Sequence, residues 1–476
     1  MKLSELLSEI EYNGSFVDQK IKDVVADSRK VSEGSLFVCV KGNSFDGHEV
    51  AAEMLKKGAA AVITDHKLGL ENEIIVKNTK EANARLCQNF FKNPKDQLKI
   101  IGITGTNGKT TIASIIKQAL ELMGHKTSLI GTIRYEIGDL EIPSKFTTPE
   151  PWDIAALFAR IVMAGCEYVV MEASSQALDQ GRLNGIDFDL AVFTNLTQDH
   201  LDYHRNIENY YKAKKILFDN AKSAVINIDD EYGQRLMNEL SIPKTTYSIK
   251  SNDADYTAKN IECSISDVKF AINGDNFISR ASLNMPGLYS ANNAMAAFCA
   301  LSVLGFDKSK STEAVSNTRT VAGRSEVLYN KGFTVICDFA HTADALEQLL
   351  SSIKPFVENR LITLFGCAGV RDSTKRPAMA ETVCRYSDVI ILSSDNPRAE
   401  DPVSIINEIL PIIQKAEKPC ITEPDRYLAI LQGLDILQKG DVLLLCGKGH
   451  EDYQVIDGTT IYLDEHRIVN EYFEKK

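Results

Sequence analysis

The chain has 476 residues, 44% of them apolar, with 13 prolines and no biased tract; it is too long for one ordinary core, is sized for about three domains, and lacks the profile of disorder. A formal net charge of −12, from 53 Lys and Arg against 65 Asp and Glu, excludes a general nucleic-acid surface, so an anionic substrate requires a local cationic cleft. Ten cysteines stand singly, with no C-x-x-C pair, and the opening stretch MKLSELLSEIEYNG sets acids inside a short apolar run, which predicts reduced core thiols in a cytoplasmic protein with no signal peptide and no membrane insertion.

Residues 1–95 alternate short apolar runs at 36–40 and 59–64 with a helical stretch over 49–57, which predicts a small mixed α/β domain. From 96 to 322 the strand-like runs KIIGIT, KTSLIGTI, EYVVME, FDLAVFTN and SAVINI alternate with helices, the pattern of a mostly parallel sheet covered by helices, and the more irregular 245–285 reads as hairpins. A third αβ series fills 323–476, with strands TVICDFA, LITLFGCA, DVIILSS and DVLLLC and helices at 343–353 and 403–414. The expected fold is therefore α/β in three domains: a small mixed unit, a central mostly parallel sheet and a carboxy-terminal Rossmann-like unit. No internal repeat is visible.

Gly102-Ile-Thr-Gly105-Thr106-Asn107-Gly108-Lys109-Thr110-Thr111 lies between the strand KIIGIT and an amphipathic helix, where glycines let backbone N–H groups close around phosphate oxygens. Lys109 is placed to reach terminal phosphates and Thr110 a magnesium ion, both on a solvent-accessible loop. The regular G-x-x-x-x-G-K-[ST] spacing fails, because position 103 is Ile and the first glycine lies one residue earlier. An ordinary Gly-rich turn is the bland alternative. Glu172 closes the run EYVVME and His200 follows FDLAVFTN, so both open on the sheet edge that carries the loop, where a carboxylate and an imidazole suit a cation. Singly, each more often serves structure.

GITGTNGKTT closely resembles the ATP loop of the Mur ligases, and further motifs of that family occur in order down nearly the whole chain. The resemblance implies a central P-loop ATPase-like domain, ATP and Mg2+ as cofactors, and ATP-dependent amide-bond formation on a UDP-N-acetylmuramoyl dipeptide, by a monomer. Tyr210-Tyr-Lys-Ala-Lys214-Lys-Ile-Leu-Phe218 resembles the family's helix bearing a carbamylated lysine, which falls on Lys214; as bare sequence, lysines at 212, 214 and 215 mean a solvated face. With Thr110, Glu172 and His200, the carbamate would complete a metal set, and Lys109, His200 and Lys214 would be catalytic. Asn293, Arg324 and Asp338 resemble the nucleotide's other wall. Ala26, Ser28, Asn43, Ser44 and Phe45 resemble the uridine-nucleotide contacts, and Thr147, Thr148, Ser174, Gln180 and Arg182 the muramoyl-peptide contacts; without the family these are turn signals and helix caps.

Asp395-Asn396-Pro397-Arg398 resembles the signature of the family members that accept meso-diaminopimelate, whose distal carboxylate suits a planar guanidinium fork. Arg371, Gly447 and Glu451 complete the resembling pocket. A D-N-P turn followed by a solvated arginine is the plain alternative. Ser290, Ala322, Phe339, Ala343, Ala368 and Val370 depart from the family's usual residues. L-lysine or another diamino acid as substrate, a folylpolyglutamate synthase-like ligase, and a nucleotide-binding scaffold without turnover are the rival readings.

Overall fold

A computed structural model of the chain describes residues 1–42 and 45–474. Three large sheets follow one another along the sequence, and a two-stranded hairpin, Tyr453–Ile456 with Thr459–Tyr462, lies near the carboxyl end. The first has four parallel strands, Asp23–Val25, Ser35–Val38, Ala61–Thr64 and Glu73–Val76, and Tyr12–Asn13 pairs antiparallel at its edge. Helix Thr79–Phe90, capped by the Asn78 side chain, packs against this sheet and against helix Pro151–Met163. There the rings of Phe90 and Phe91 each lie 4.9 Å from that of Trp152, and Ala155 enters the first unit's core.

The central sheet has eleven strands. Its parallel part is ordered Ala224–Asn227, Leu190–Phe193, Lys99–Thr104, Tyr168–Glu172, Thr127–Ile130. The unbroken apolar runs that predicted these strands are explained by burial on both faces. Ile101, Ile103, Val170 and Val192 point to the side covered by helices Lys109–Leu122 and Leu288–Val303; Ile100, Met171, Ala191 and Phe193 point to the side covered by Pro151–Met163 and Ile207–Asp219. The expected hairpins are present as the meander Tyr256–Cys263, Val268–Gly274, Phe277–Leu283, which extends this same sheet through the parallel strand Lys244–Ser248. The chain steps to opposite sides of Lys99–Thr104, which makes its carboxyl end a topological switch point, the place where open α/β sheets bind ligands.

The third sheet runs Glu326–Asn330, Thr334–Asp338, Val442–Cys446, Leu361–Phe365, Val389–Leu392, Cys420–Thr422, parallel except for the first pair. The expected helix at 343–353 spans Ala343–Ile353, and that at 403–414 spans Pro402–Lys415. The amino-terminal stretch expected at 49–57 is a 3-10 turn, Gly47–Val50, continued by helix Ala51–Lys56. All ten cysteines are free, eight of them buried. Among the described residues no helix is long and apolar enough to cross a membrane.

Two strand ends of the third unit are tied together by a buried ion pair. Arg426 and Glu465 are both 0% exposed at 2.7 Å, and the remaining guanidinium nitrogens donate to Ser394 O and Cys446 O, one residue before Asp395 and Gly447. Removing one partner strands a buried charge, so Glu465→Ala is expected to destabilise this unit by about 3–5 kcal/mol. A denaturant midpoint unchanged from wild type would contradict that.

Candidate active site

The three glycines of the loop have different jobs. Gly102 lies within the strand, where a Cβ would come within 2.8 Å of Leu217 and Phe188, so its absent side chain lets helix Ile207–Asp219 lie close against the sheet. It is a packing glycine, which explains why it is out of step with the regular phosphate-loop spacing. Gly105 (φ +151°) would place a Cβ 1.8 Å from Thr194 Oγ1, and Gly108 (φ +89°) would place one 2.7 Å from Asn293 Oδ1. Asn195 Oδ1 accepts from Asn107 N at 2.9 Å and Thr194 Oγ1 donates to Asn107 O at 2.6 Å, so the end of the neighbouring strand holds the loop's shape.

Glu172 is the hub of the sheet edge. Its carboxylate, 1% exposed, accepts from Thr110 Oγ1 at 2.9 Å, from Thr132 N at 2.8 Å and from Thr132 Oγ1 at 3.0 Å. Gly131 leaves room for it, since a Cβ there would sit 2.5 Å from Glu172 Oε1. Thr110 is itself only 7% exposed, which corrects the expectation of a solvent-accessible hydroxyl; Thr111 beside it in the first helical turn is equally buried. From the third unit, Arg324 Nη2 donates to Thr110 Oγ1 at 3.2 Å, while its buried Nε has no partner among the described residues and its guanidinium lies 4.6 Å from the Phe339 ring. An orphaned buried donor beside a phosphate-type loop is suited to an anionic ligand. Burial pushes the Asp338 carboxyl up, opposed by Arg324 and by the amides of Ser325 and Ala340. Asn293, Arg324, Asp338, Asn107 and Gly108 line one cleft between the second and third units.

Lys214 and Lys109 share an acceptor. Lys109 Nζ donates to Gly105 O and Thr106 O, each at 2.9 Å, and Lys214 Nζ donates to Gly105 O at 2.8 Å while standing 4.3 Å from the Tyr210 ring. Lys212 and Lys215, in contrast, reach outward to Glu208 and Glu239. Burial, then Lys109, pulls the Lys214 amine well below the ordinary lysine range. His200 stands half exposed at φ +52°, 3.5 Å from Asp199; desolvation and the Lys109 and Lys214 charges, against the opposing Asp199, pull its imidazole down to about 4, so the ring is neutral at pH 7.

Next to this centre, Thr148 Oγ1 donates to Glu172 O at 2.7 Å and accepts from Ser174 N at 2.9 Å, and Thr147 Oγ1 lies 3.1 Å from Thr132 Oγ1. Ser174 also caps helix Ser175–Asp179. Arg182 bonds Gln180 Oε1 and Thr148 O and pairs with Glu150 at 2.9 Å. These five predicted residues therefore form one network touching Glu172. In the third unit, Asn396 Nδ2 donates to Glu451 Oε2 at 3.0 Å, Lys448 Nζ bonds both Asn396 Oδ1 and Glu451, and a Cβ on Gly447 would lie 2.6 Å from Asp395 Oδ2. Pro397 leads to Arg398, whose Nη1 donates to Gly369 O at 2.9 Å; among the described residues no carboxylate lies within ion-pair distance of Arg398 or Arg371, and Arg398 is lowered by burial and then by Arg371, against the opposing charges of Asp395 and Glu451.

Ala26 and Ser28 stand on the turn after strand Asp23–Val25, and Phe45 is exposed; no hydrogen bond or ion pair among the described residues joins them to the central cleft. Asn43 and Ser44 lie outside the described residues. His200, Ser325, Val370 and Arg398 are non-glycine residues at φ between +46° and +55°, and all four sit in candidate segments. Such backbone costs about 1–3 kcal/mol each and concentrates where function over-determines it.

Sequence reading missed Gly131, Thr132, Asp344 and Lys448. Asp344, in the first turn of Ala343–Ile353, accepts from Asn107 Nδ2 at 2.7 Å and Thr197 Oγ1 at 3.2 Å, latching the third unit to the loop. Gly131 and Thr132 were legible as the next residues after strand Thr127–Ile130, which pairs with the strand that ends at Glu172.

Three family models match the chain in succession: Mur ligase family, catalytic domain, over residues 20–91; Mur ligase middle domain over 103–301; and Mur ligase, glutamate ligase domain, over 323–449. The chain is 40% identical to the UDP-N-acetylmuramoyl-L-alanyl-D-glutamate--2,6-diaminopimelate ligase of Clostridium perfringens, with 100% of both covered, and 42% identical to the ligase of the same name from Caldanaerobacter subterraneus, with 99% of this chain and 98% of that one covered. A solved structure of a ligase with that name matches at TM-score 0.72 and 31% identity, covering 100% of this chain and 99% of its own. The phosphate-type loop, the carboxylate hub at Glu172 and these matches along the whole length agree, and the chain belongs to the Mur ligase family.

Proposed function

We propose that this chain is an ATP- and Mg2+-dependent ligase that joins meso-diaminopimelate to the D-glutamate side-chain carboxylate of UDP-N-acetylmuramoyl-L-alanyl-D-glutamate, releasing ADP and phosphate. Residues 1–95 bind the uridine nucleotide, 96–322 bind ATP and 323–476 bind the diamino acid, in a cytoplasmic monomer. Relatives that span the whole chain bear that activity in their names. The observation that carries the choice of amino acid is the pair Arg371 and Arg398, two guanidiniums with no carboxylate within ion-pair distance among the described residues, in the unit where Glu451 is held by Asn396 and Lys448. A guanidinium fork suits the distal carboxylate, and Glu451 suits an ammonium.

The buried Thr110 hydroxyl and Glu172 carboxylate, 2.9 Å apart, are oxygen donors of the kind a hard divalent ion takes, so with His200 they fit magnesium, which when bound offsets phosphate charge. Lys109 leaves its carbonyl acceptors for the terminal phosphates, and the orphaned Arg324 Nε turns to the same anion from the third unit. The γ-phosphoryl group passes to the D-glutamyl carboxylate as an acyl phosphate. The amine attacks its carbonyl carbon, the amide bond forms and phosphate leaves. The contacts of Asp344 and Arg324 across the cleft keep water from that intermediate.

The testing experiment compares kcat/KM for diaminopimelate and lysine in wild type and Arg398→Ala. Use of diaminopimelate is expected to fall at least about tenfold, since an unpaired carboxylate is left in the pocket, while the poor use of lysine stays level or improves. An unchanged ratio would remove the support for diaminopimelate and leave lysine or another diamino acid as the substrate.

A further inference from the structure

A second constellation of ligating groups lies on the first unit, away from the phosphate loop. His48 Nδ1 stands 2.6 Å from Asp46 Oδ1, and His48 Nε2 stands 3.3 Å from Asp65 Oδ1. Asp65 Oδ1 is also 2.6 Å from His66 Nδ1, the two imidazoles stack at 4.8 Å, and His48 Nε2, a carboxylate oxygen of Asp65 and a ring nitrogen of His66 all lie within 4.8 Å of one another.

The geometry shows what this cluster suits. The backbone N–H of Asp65 lies 3.4 Å from His48 Nε2, and His48 Nδ1 faces Asp46. His48 Nε2 and Asp65 Oδ1 converge at 3.3 Å. That separation is about the edge of a tetrahedron whose ligands lie at ~2.0–2.1 Å from its centre, the distance at which zinc takes imidazole and carboxylate. Asp46 then stands as the outer carboxylate that fixes the tautomer and orientation of a metal-binding histidine.

The supports are in place as well. Glu73, 6% exposed, accepts from the amides of Leu68, Gly69 and Leu70 and from Thr64 Oγ1, which clamps both ends of the turn bearing Asp65 and His66. Asp65 and His66 are exposed, so an ion has an open path. Lys41, 3.9 Å from Asp46, is the nearby cation and faces the outer carboxylate.

We propose that His48, Asp65 and His66 form a binding site for a divalent transition-metal ion, with Asp46 as the orienting carboxylate. Two imidazoles and one carboxylate select zinc, cobalt or nickel over magnesium. The ion replaces the His66–Asp65 hydrogen bond and pins the Asp46–His48 turn to the Asp65–Leu70 turn.

The probes are Zn2+ and Co2+ added to the metal-stripped full-length chain in excess Mg2+, followed by calorimetry, by the visible d–d bands of Co2+ and by melting temperature. Saturable one-to-one binding that raises the melting temperature is expected. Because His48 is buried, the variants used are Asp65→Asn and His66→Ala at exposed positions; each is expected to lose at least about tenfold in affinity, and Asp46→Asn about tenfold or more. His200→Ala keeps the binding and the spectrum. Retention in His66→Ala with loss in His200→Ala, or binding that does not saturate in wild type, would overturn the proposal and leave the cluster as a hydrogen-bonded surface group.

Discussion

Lys109→Ala is expected to lower ADP release on the order of 10^3-fold, the scale for losing a preorganised charge at a transition state, while the melting temperature stays at the wild-type value or rises. The asymmetry follows from what Lys109 does in the fold. Its ammonium makes two hydrogen bonds, to Gly105 O and Thr106 O, and the first of those carbonyls already accepts from Lys214. Desolvation pulls its pKa down, only partly countered by Glu172 and Asp199, so the fold tolerates this cation and gains little from it. Phosphoryl transfer, by contrast, spreads charge over oxygens that the loop amides and Lys109 are placed to meet. ADP release and thermal unfolding measured on the same preparation separate the two roles. A large fall in melting temperature with undiminished turnover would make Lys109 a structural residue.

The central architecture was legible because its strands are buried on both faces and therefore read as unbroken apolar runs, and because the loop separates two such elements with glycines that the backbone requires. What could not be read was which side chains the three units bring together. Arg324 meets Thr110 and Asp344 meets Asn107 across more than two hundred residues, and no local period encodes such contacts. Ala26, Ser28 and Phe45, expected from the resemblance to contact the uridine nucleotide, rest on turns whose chemistry is generic, and the structure links none of them by hydrogen bond or ion pair to the central cleft among the described residues. Lys448 went unremarked because a lysine in a glycine-rich turn normally faces water; here it is 0% exposed and ties Asn396 to Glu451.

Lys214 is the case in which sequence held more than was taken from it. Three lysines in four positions suggested a solvated face, yet the buried residues of helix Ile207–Asp219 include, beside Tyr211, Tyr210, Ala213, Leu217 and Phe218, the i, i+3, i+7, i+8 stripe on which position 214 falls. A lysine on that stripe is buried whatever its charge prefers.

From that burial follows the second large effect: Lys214→Ala is expected to lose on the order of 10^3-fold in turnover, with part restored by added short carboxylates. The Lys214 amine is 1% exposed, has no carboxylate within ion-pair distance among the described residues, and shares Gly105 O with a second ammonium. Burial and Lys109 hold its pKa well below the ordinary range, which favours the free amine that would attack CO2 to give a carbamate and one proton. The product would be an anion beside Lys109, exchanging a repulsion between two cations for an attraction. The sign of the pH dependence is fixed by the lowered pKa: as pH falls through it the amine protonates, CO2 no longer adds, and activity is lost, but at a lower pH than an ordinary lysine would allow. Carbon-13 NMR with labelled CO2 is expected to give one carbamate signal in wild type and none in Lys214→Ala, and wild-type turnover is expected to fall in CO2-free buffer and return with bicarbonate. Full turnover of Lys214→Ala in CO2-free buffer, with the carbamate signal absent from wild type, would mean that the buried amine acts as a hydrogen-bond donor to the loop and nothing more.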